Sequence, residues 1–163
     1  MATTKHLNRL WAPWRNAFLS NPSPSQRCFL CTAWRSSADR QHLVVARRTD
    51  TFVILNRYPY NNGHVLVAPS RHIGQFSRLQ PDEWLHMFDL AQSMIRRLEQ
   101  SLKAQGFNIG MNLGRIAGAG IPGHLHLHIV PRWKGDTNFF PIISHTKVIS
   151  QSLQELYTLL KSS

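Results

Sequence analysis

The stretch that decides the fold is residues 124–130, His-Leu-His-Leu-His-Ile-Val, in which three histidines alternate with aliphatic residues. Successive side chains of a β-strand point to opposite faces of a sheet. The pattern therefore predicts a strand with one face lined by His124, His126 and His128 and with its aliphatic face buried in a core. Because such a strand holds three imidazoles rigidly, it is the most informative feature of the chain for function.

The segments around this strand predict an α+β fold. Further strands are predicted at residues 42–46, 51–55, 64–68 and 107–113, of which the first two form a hairpin. Apolar residues three and four positions apart predict a long helix that begins at Pro81 and ends at Gly106, and a C-terminal helix over residues 147–161. Because no helix separates each pair of strands, we expect a largely antiparallel sheet.

The length and composition bound the kind of protein. A chain of 163 residues suits one domain, here with an irregular N-terminal arm at residues 1–27 and a C-terminal helical extension at residues 144–163. Two cysteines are too few for a secreted disulfide framework, and the chain has neither an apolar run of membrane-spanning length nor a signal-peptide pattern at its start. We therefore expect a cytoplasmic protein with no membrane partner.

The chain is strongly basic, with 19 Lys and Arg against 8 Asp and Glu and a formal net charge of +11. A basic surface attracts polyanions, but these residues are scattered along the chain and form no dense block with interleaved aromatic residues. The charge therefore predicts no specific nucleic-acid partner. The net charge weakly favours the binding of a small phosphorylated ligand. The alternative is a basic surface that has no dedicated partner.

The three histidines permit three roles, which their spacing alone does not separate. A neutral imidazole is a good nucleophile toward phosphorus, and its unperturbed pKa near ~6.5 keeps it neutral at pH 7. Histidines two residues apart on a strand can instead share a metal ion. A purely structural role requires each buried ring to find a hydrogen-bond partner. Each ring left without one costs the fold roughly 1–3 kcal/mol of stability. The glycine-rich loop at residues 114–123 can offer backbone N–H groups to a phosphate.

Cys28 and Cys31 have the Cys-x-x-Cys spacing that holds one edge of a tetrahedral zinc site. Two cysteines need two more ligands, so the spacing alone favours reduced and packed thiols over zinc. A redox pair is least favoured, because no strand-to-helix Trp-Cys-x-x-Cys context surrounds them.

The segment from Asn112 to Pro141 resembles the histidine triad (HIT) family of nucleotidyl hydrolases and transferases, and most of all its bacterial diadenosine tetraphosphate hydrolase and phosphorylase branch. Residues 10–15, the Cys-x-x-Cys pair and residues 56–69 support the resemblance. It implies a HIT-like fold, with a five-stranded, largely antiparallel sheet, one long central helix and a C-terminal helix. It also implies a homodimer that acts on a purine nucleotide or dinucleotide.

By resemblance, His126 attacks the α-phosphorus to form a nucleotidyl-histidine intermediate, and His124 and His128 flank and orient that reaction. His128 then lies near the leaving group, and His64 supports the triad. The resemblance also implies nucleotide-binding positions, namely Asn56 for the ribose hydroxyls and Asn112, Gly118, Ala119 and Gly120 for the phosphate. The loop lacks the Gln, Ser or Thr that many members place before the triad, so the acceptor, water or phosphate, stays open.

The resemblance also bears on metal. Several relatives complete a structural zinc site with histidines that correspond to His72 and His124, beside Cys28 and Cys31. It implies no organic cofactor. Two other functions stay open, namely a zinc-dependent phosphoester hydrolase that uses the triad as ligands and a nucleotide-binding module without catalysis.

Overall fold

The computed structural model describes residues 28–137 and 148–162. The predicted N-terminal arm at residues 1–27 lies outside the described residues. The helices are α1 (Phe29–Arg35), α2 (Asp39–His42), α3 (Pro81–Leu102) and α4 (Leu153–Ser162), with a short 3₁₀ turn at Phe76–Arg78. The strands are β1 (Val44–Arg47), β2 (Thr51–Leu55), β3 (Val65–Pro69), β4 (Gly106–Gly110) and β5 (Leu127–Arg132).

The five strands form one sheet in the order β1-β2-β3-β5-β4, and every neighbouring pair is antiparallel. The α+β class and the five-stranded antiparallel sheet are therefore confirmed. Strand β5 lies between β3 and β4, where Leu66 and Gly110 both pair with His128. The histidine strand is thus held from both sides, with β4 at the edge of the sheet.

Helix α3 packs against β2, β3 and β5. It begins as predicted at Pro81, after a capping box in which Gln80 and Glu83 bond reciprocally across the first turn. It ends at Leu102, before the predicted end at Gly106, because Lys103 adopts the left-handed conformation with φ of 53°. The indole N–H of Trp133 donates to the carbonyl groups of Leu102 and Lys103, which satisfies the end of the helix.

Helices α1 and α2 were not predicted from the sequence. Each is short, and α1 is held from a distance by Arg47 on β1. The Arg47 guanidinium donates to the carbonyl oxygens of Ala33, Trp34 and Ser36, each at 2.8 Å, and forms an ion pair with Asp39. Because these contacts lie 8 to 14 residues apart in the chain, local sequence patterns carry no signal of them.

Several other predicted boundaries are wrong in detail. Strand β1 begins at Val44 and not at residue 42, because His42 ends α2, and β3 is shifted by one residue to Val65–Pro69. Strand β4 is shorter than predicted and ends at Gly110, and α4 begins at Leu153 rather than at residue 147. Strand β5 begins at Leu127, so His124 and His126 precede the paired strand. In place of a sheet neighbour, Leu125 donates its N–H to the carbonyl of Ile73 at 2.7 Å.

Within residues 28–137 and 148–162, no helix is both long and apolar enough to cross a bilayer.

Candidate active site

The three histidines are buried, with 1%, 7% and 9% of the surface of His124, His126 and His128 exposed. The aliphatic residues between them are buried too, as the alternating pattern predicted. Their rings face different partners, however. The ring of His126 lies 4.9 Å from that of His128, whereas the ring of His124 contacts His72. The row of histidines therefore divides into a pair and a single ring.

His126 has one ring nitrogen fixed by the main chain. Its Nδ1 lies 2.9 Å from the carbonyl oxygen of His124. A carbonyl only accepts, so Nδ1 carries the hydrogen and Nε2 carries the lone pair. Burial lowers the pKa of His126, and the bond to the carbonyl offsets part of that effect. His126 is therefore a neutral imidazole with Nε2 available as a nucleophile. The main chain of His124 orients it, rather than the outer rings that we expected to do so.

The hydrogen bond from His64 determines which ring nitrogen of His128 carries the hydrogen. The backbone N–H of Tyr60 donates to Nδ1 of His64 at 3.0 Å, so neutral His64 carries its hydrogen on Nε2. That Nε2 lies 3.0 Å from Nδ1 of His128, which therefore accepts, and the hydrogen of neutral His128 is on its Nε2. Burial, followed by the nearby His128 and His126, lowers the pKa of His64 to about 3. His64 is consequently neutral at pH 7.

Asn56 lies beside this relay of His64 and His128. Its side-chain nitrogen is 3.2 Å from Nδ1 of His64, and its side-chain oxygen accepts the N–H of Tyr58. These bonds fix the half-buried Asn56 next to the triad, where the resemblance places a ribose contact. His64 itself contacts His128 of the triad, and its supporting role stays a prediction.

The predicted phosphate-binding residues lie in the loop before the triad, which folds on itself. Asn112 donates from its side chain to the carbonyl of Gly118 at 3.4 Å. The N–H groups of Gly118 and Ala119 donate to the carbonyls of Arg115 and Gly114. These two amides are thus used within the loop. Of the three loop residues predicted to bind phosphate, Gly120 alone has an amide with no such turn bond to the described residues.

A second group of side chains lies at the other end of the triad. The ligand atoms of Cys28, Cys31, His72 and His124 all lie within 4.8 Å of one another. Nδ1 of His124 is 3.2 Å from Sγ of Cys28 and 3.4 Å from Sγ of Cys31, and Nδ1 of His72 is 3.3 Å from Sγ of Cys31. The structure brings together all four residues that the resemblance implied.

The protonation of His124 fits a metal site. Its Nε2 donates to the carbonyl of Pro69 at 2.8 Å, so the lone pair is on Nδ1, which faces the cysteines. Two thiolates and two imidazoles are the donor set that tetrahedral zinc prefers. Within the described part of the chain, this group includes His124 but neither His126 nor His128. The arrangement fits a structural zinc ion and argues against a zinc ion held by the whole triad.

Two contributors were missed by sequence reasoning. Tyr60 contacts both His64 and His128, and the main-chain carbonyl of Pro69 orients His124. Tyr60 lies in a loop that was noted as rich in turn residues, but no spacing rule singled it out. The carbonyl of Pro69 has no sequence signal, because every residue has one.

Comparisons with known proteins agree with this geometry. The HIT domain model matches residues 37–135. The chain is 39% identical over 164 residues to a protein named AP-4-A phosphorylase from Mycobacterium tuberculosis, which covers 94% of this chain and 83% of the relative. It is 37% identical over 82 residues to the asymmetrical bis(5'-nucleosyl)-tetraphosphatase of Schizosaccharomyces pombe, covering 50% of this chain and 44% of the relative. The crystal structure of a zinc-bound histidine triad family protein from Mycobacterium smegmatis superposes with a TM-score of 0.66 at 27% identity, covering 83% of this chain and 91% of that one.

Proposed function

Because this chain belongs to the HIT domain family, we propose that it cleaves dinucleoside polyphosphates such as diadenosine tetraphosphate by nucleotidyl transfer to His126. The observation that carries the proposal is the bond from Nδ1 of His126 to the carbonyl of His124, which leaves Nε2 as a neutral nucleophile. The names of the relatives from M. tuberculosis and S. pombe support the substrate class.

The reaction has two steps. In the first, the Nε2 lone pair of His126 forms a bond to the α-phosphorus, and the bond from that phosphorus to the bridging oxygen breaks. The remaining polyphosphate leaves with the bonding electrons as an oxyanion, which is stable at neutral pH. Nε2–H of His128 donates a hydrogen bond to that oxyanion, so no full proton transfer is needed. In the second step an acceptor oxygen attacks the phosphorus, the bond from phosphorus to Nε2 breaks, and His126 leaves as a neutral imidazole. Where water is the acceptor, its proton passes to solvent.

The acceptor decides the products. Attack by water on the adenylyl-histidine formed from diadenosine tetraphosphate gives AMP beside ATP, whereas attack by inorganic phosphate gives ADP beside ATP. The side chains of the loop before the triad do not decide between these acceptors, because residues 114–123 include no Gln, Ser or Thr. The experiment must therefore distinguish hydrolysis from phosphorolysis.

The experiment incubates the purified protein with diadenosine tetraphosphate, with and without phosphate, and separates the products. We expect turnover, and we expect an adenylyl group from labelled substrate to remain on acid-quenched protein. Both are lost in His126→Ala and kept in His86→Gln, a control at a histidine on α3 whose side chain is 44% exposed and pairs with Asp50 outside the triad. Tight binding without turnover would favour a binding module. Turnover that a chelator abolishes, with no labelled protein, would favour a zinc hydrolase.

We also propose that Cys28, Cys31, His72 and His124 hold a structural zinc ion. When bound, zinc would supply a rigid tetrahedral crosslink between α1 and the segment that leads into the triad. The bond from Nε2 of His124 to Pro69 supports this, because it presents Nδ1 to the thiols before any ion binds. His126 and His128 stay free for the reaction.

We further propose that the protein forms a homodimer. Among the described residues β4 is an edge strand, and its Ile109 is 48% exposed. On α3, Leu85 and Phe88 are 59% and 52% exposed, and Phe88 stacks on Trp84. An exposed strand edge and exposed apolar side chains are surfaces that a second copy would cover. A cytoplasmic location stays a prediction from the sequence.

A further inference from the structure

Tyr60 contacts the histidine relay in two ways. Its backbone N–H donates to Nδ1 of His64, which fixes the tautomers of both relay histidines. Its ring stacks on His128 with the centroids 5.8 Å apart and the planes inclined by 14°, and it lies 4.6 Å from the ring of His64. The first contact belongs to the main chain, and the second belongs to the side chain alone.

The ring contact matters because of how His128 is held. The bond between Nε2 of His64 and Nδ1 of His128 holds one atom of the His128 ring, but small changes in the two side-chain torsions of His128 tilt the ring and change where Nε2–H points. The nearly parallel ring of Tyr60 and the ring of His126, which lies 4.9 Å from that of His128 and is inclined by 60°, both restrict this tilt. The direction of the His128 hydrogen therefore depends on the Tyr60 ring.

We propose that the side chain of Tyr60 is a positioning residue that aims Nε2–H of His128 at the leaving oxygen. The inference rests on the proposed nucleotidyl transfer and adds a residue to it that acts through His128. It requires the aromatic ring and not the hydroxyl group. It also requires that the effect grow as the leaving group becomes poorer, since a leaving group that carries negative charge well needs little help from a hydrogen-bond donor.

The test uses Tyr60→Leu, Tyr60→Phe and the matched control Tyr58→Leu in the same loop. Tyr60 is 42% exposed and Tyr58 is 64% exposed, so each truncation leaves little buried space and the variants are expected to fold. Two AMP esters serve as substrates beside diadenosine tetraphosphate: a nitrophenyl ester, whose leaving group accepts charge well, and the unsubstituted phenyl ester, whose leaving group does not. Thermal unfolding midpoints check that the variants are folded.

For Tyr60→Leu we expect kcat on the phenyl ester to fall about 3- to 10-fold, the range of one aromatic pair. We expect little change in KM and little change on the nitrophenyl ester. Tyr60→Phe should restore the wild-type rates, and Tyr58→Leu should stay within about twofold of them.

Three results would overturn the assignment of Tyr60 while leaving the proposed function intact: an equal loss on both esters, a loss in Tyr60→Phe as large as in Tyr60→Leu, or wild-type kcat in Tyr60→Leu. If the wild-type protein cleaves none of the three substrates, the proposed function itself fails. The ¹⁵N chemical shifts of His128 give a readout apart from activity. They should report hydrogen on Nε2 in Tyr60→Leu as in the wild type, because the backbone amide that sets the tautomer is unchanged. A switch of the hydrogen to Nδ1 would contradict a purely orienting role.

Discussion

Gly74 offers a sharp test of how the triad is supported, because no side chain fits there. A Cβ atom at Gly74 would lie 2.4 Å from the carbonyl oxygen of Pro122 and 2.9 Å from Cα of Gly123. The adjacent Ile73 accepts the N–H of Leu125 at 2.7 Å. The main chain at residues 73–74 thus packs directly against the segment that leads into the histidines.

The change Gly74→Ala forces one of two main chains to move, since neither contacting atom belongs to a side chain that could rotate away. Overpacking of this kind destabilises by roughly 1–3 kcal/mol. For a chain of this size that corresponds to a midpoint lower by roughly 2–12 °C. A Cβ built on Gly123 would lie 3.2 Å from Nε2 of His72, so Gly123 lies beside that ring and its displacement disturbs the proposed zinc ligands as well.

Thermal unfolding followed by circular dichroism measures the stability, and turnover of diadenosine tetraphosphate measures the site. Gly106→Ala, at the start of β4, is the matched control, because among the described residues nothing lies within 4 Å of its Cβ position. We expect that control to be neutral or to stabilise by about 0.4–1 kcal/mol. A Gly74→Ala protein with the wild-type midpoint and turnover would refute the close packing that we describe.

Three further predictions address pH, metal and assembly. Since the pKa of His64 is about 3 in the folded protein and near 6.5 ordinarily, the unfolded chain binds a proton first as the pH falls. The stability that neutral His64 contributes is present above pH 6.5 and should fall by roughly 2–3 kcal/mol between pH 7 and 4.5 in urea unfolding, in addition to the loss from His124, whose pKa burial lowers to about 4. His64→Gln should therefore show a shallower decline than the wild type; equal slopes in the two proteins would contradict this. Native mass spectrometry should find one zinc ion per chain, which Cys31→Ser loses and His86→Gln keeps. Chelation should lower the unfolding midpoint of the wild-type protein. A wild-type protein that is metal-free after purification with zinc present would argue for packed thiols instead. Analytical ultracentrifugation should show a dimer that Phe88→Glu, on the exposed face of α3, converts to monomers; an unchanged sedimentation coefficient would place the interface elsewhere.

Much of the fold could be read from local patterns. The alternation at residues 124–130 predicted the buried histidine strand, and the apolar spacing after Pro81 predicted the long helix from its first residue. These predictions succeed because strand and helix periodicities depend on neighbours a few residues apart. The end of that helix could not be read in the same way, because a lysine at position 103 takes a conformation more typical of glycine and Trp133 binds the final carbonyls.

For the candidate site, the sequence and the tertiary structure determine different things. The sequence by itself determined which residues could do the chemistry: three imidazoles at alternate positions, a Cys-x-x-Cys pair and a histidine before the third strand. Only the tertiary structure decided what each one does. It turns His124 toward cysteines more than 90 residues away and His128 toward His64, 64 residues away, and it leaves Nε2 of His126 unprotonated through a main-chain carbonyl. The physical reason is that a histidine's role depends on which nitrogen carries the hydrogen. That choice is made by partners brought together by folding and not by neighbours in the chain.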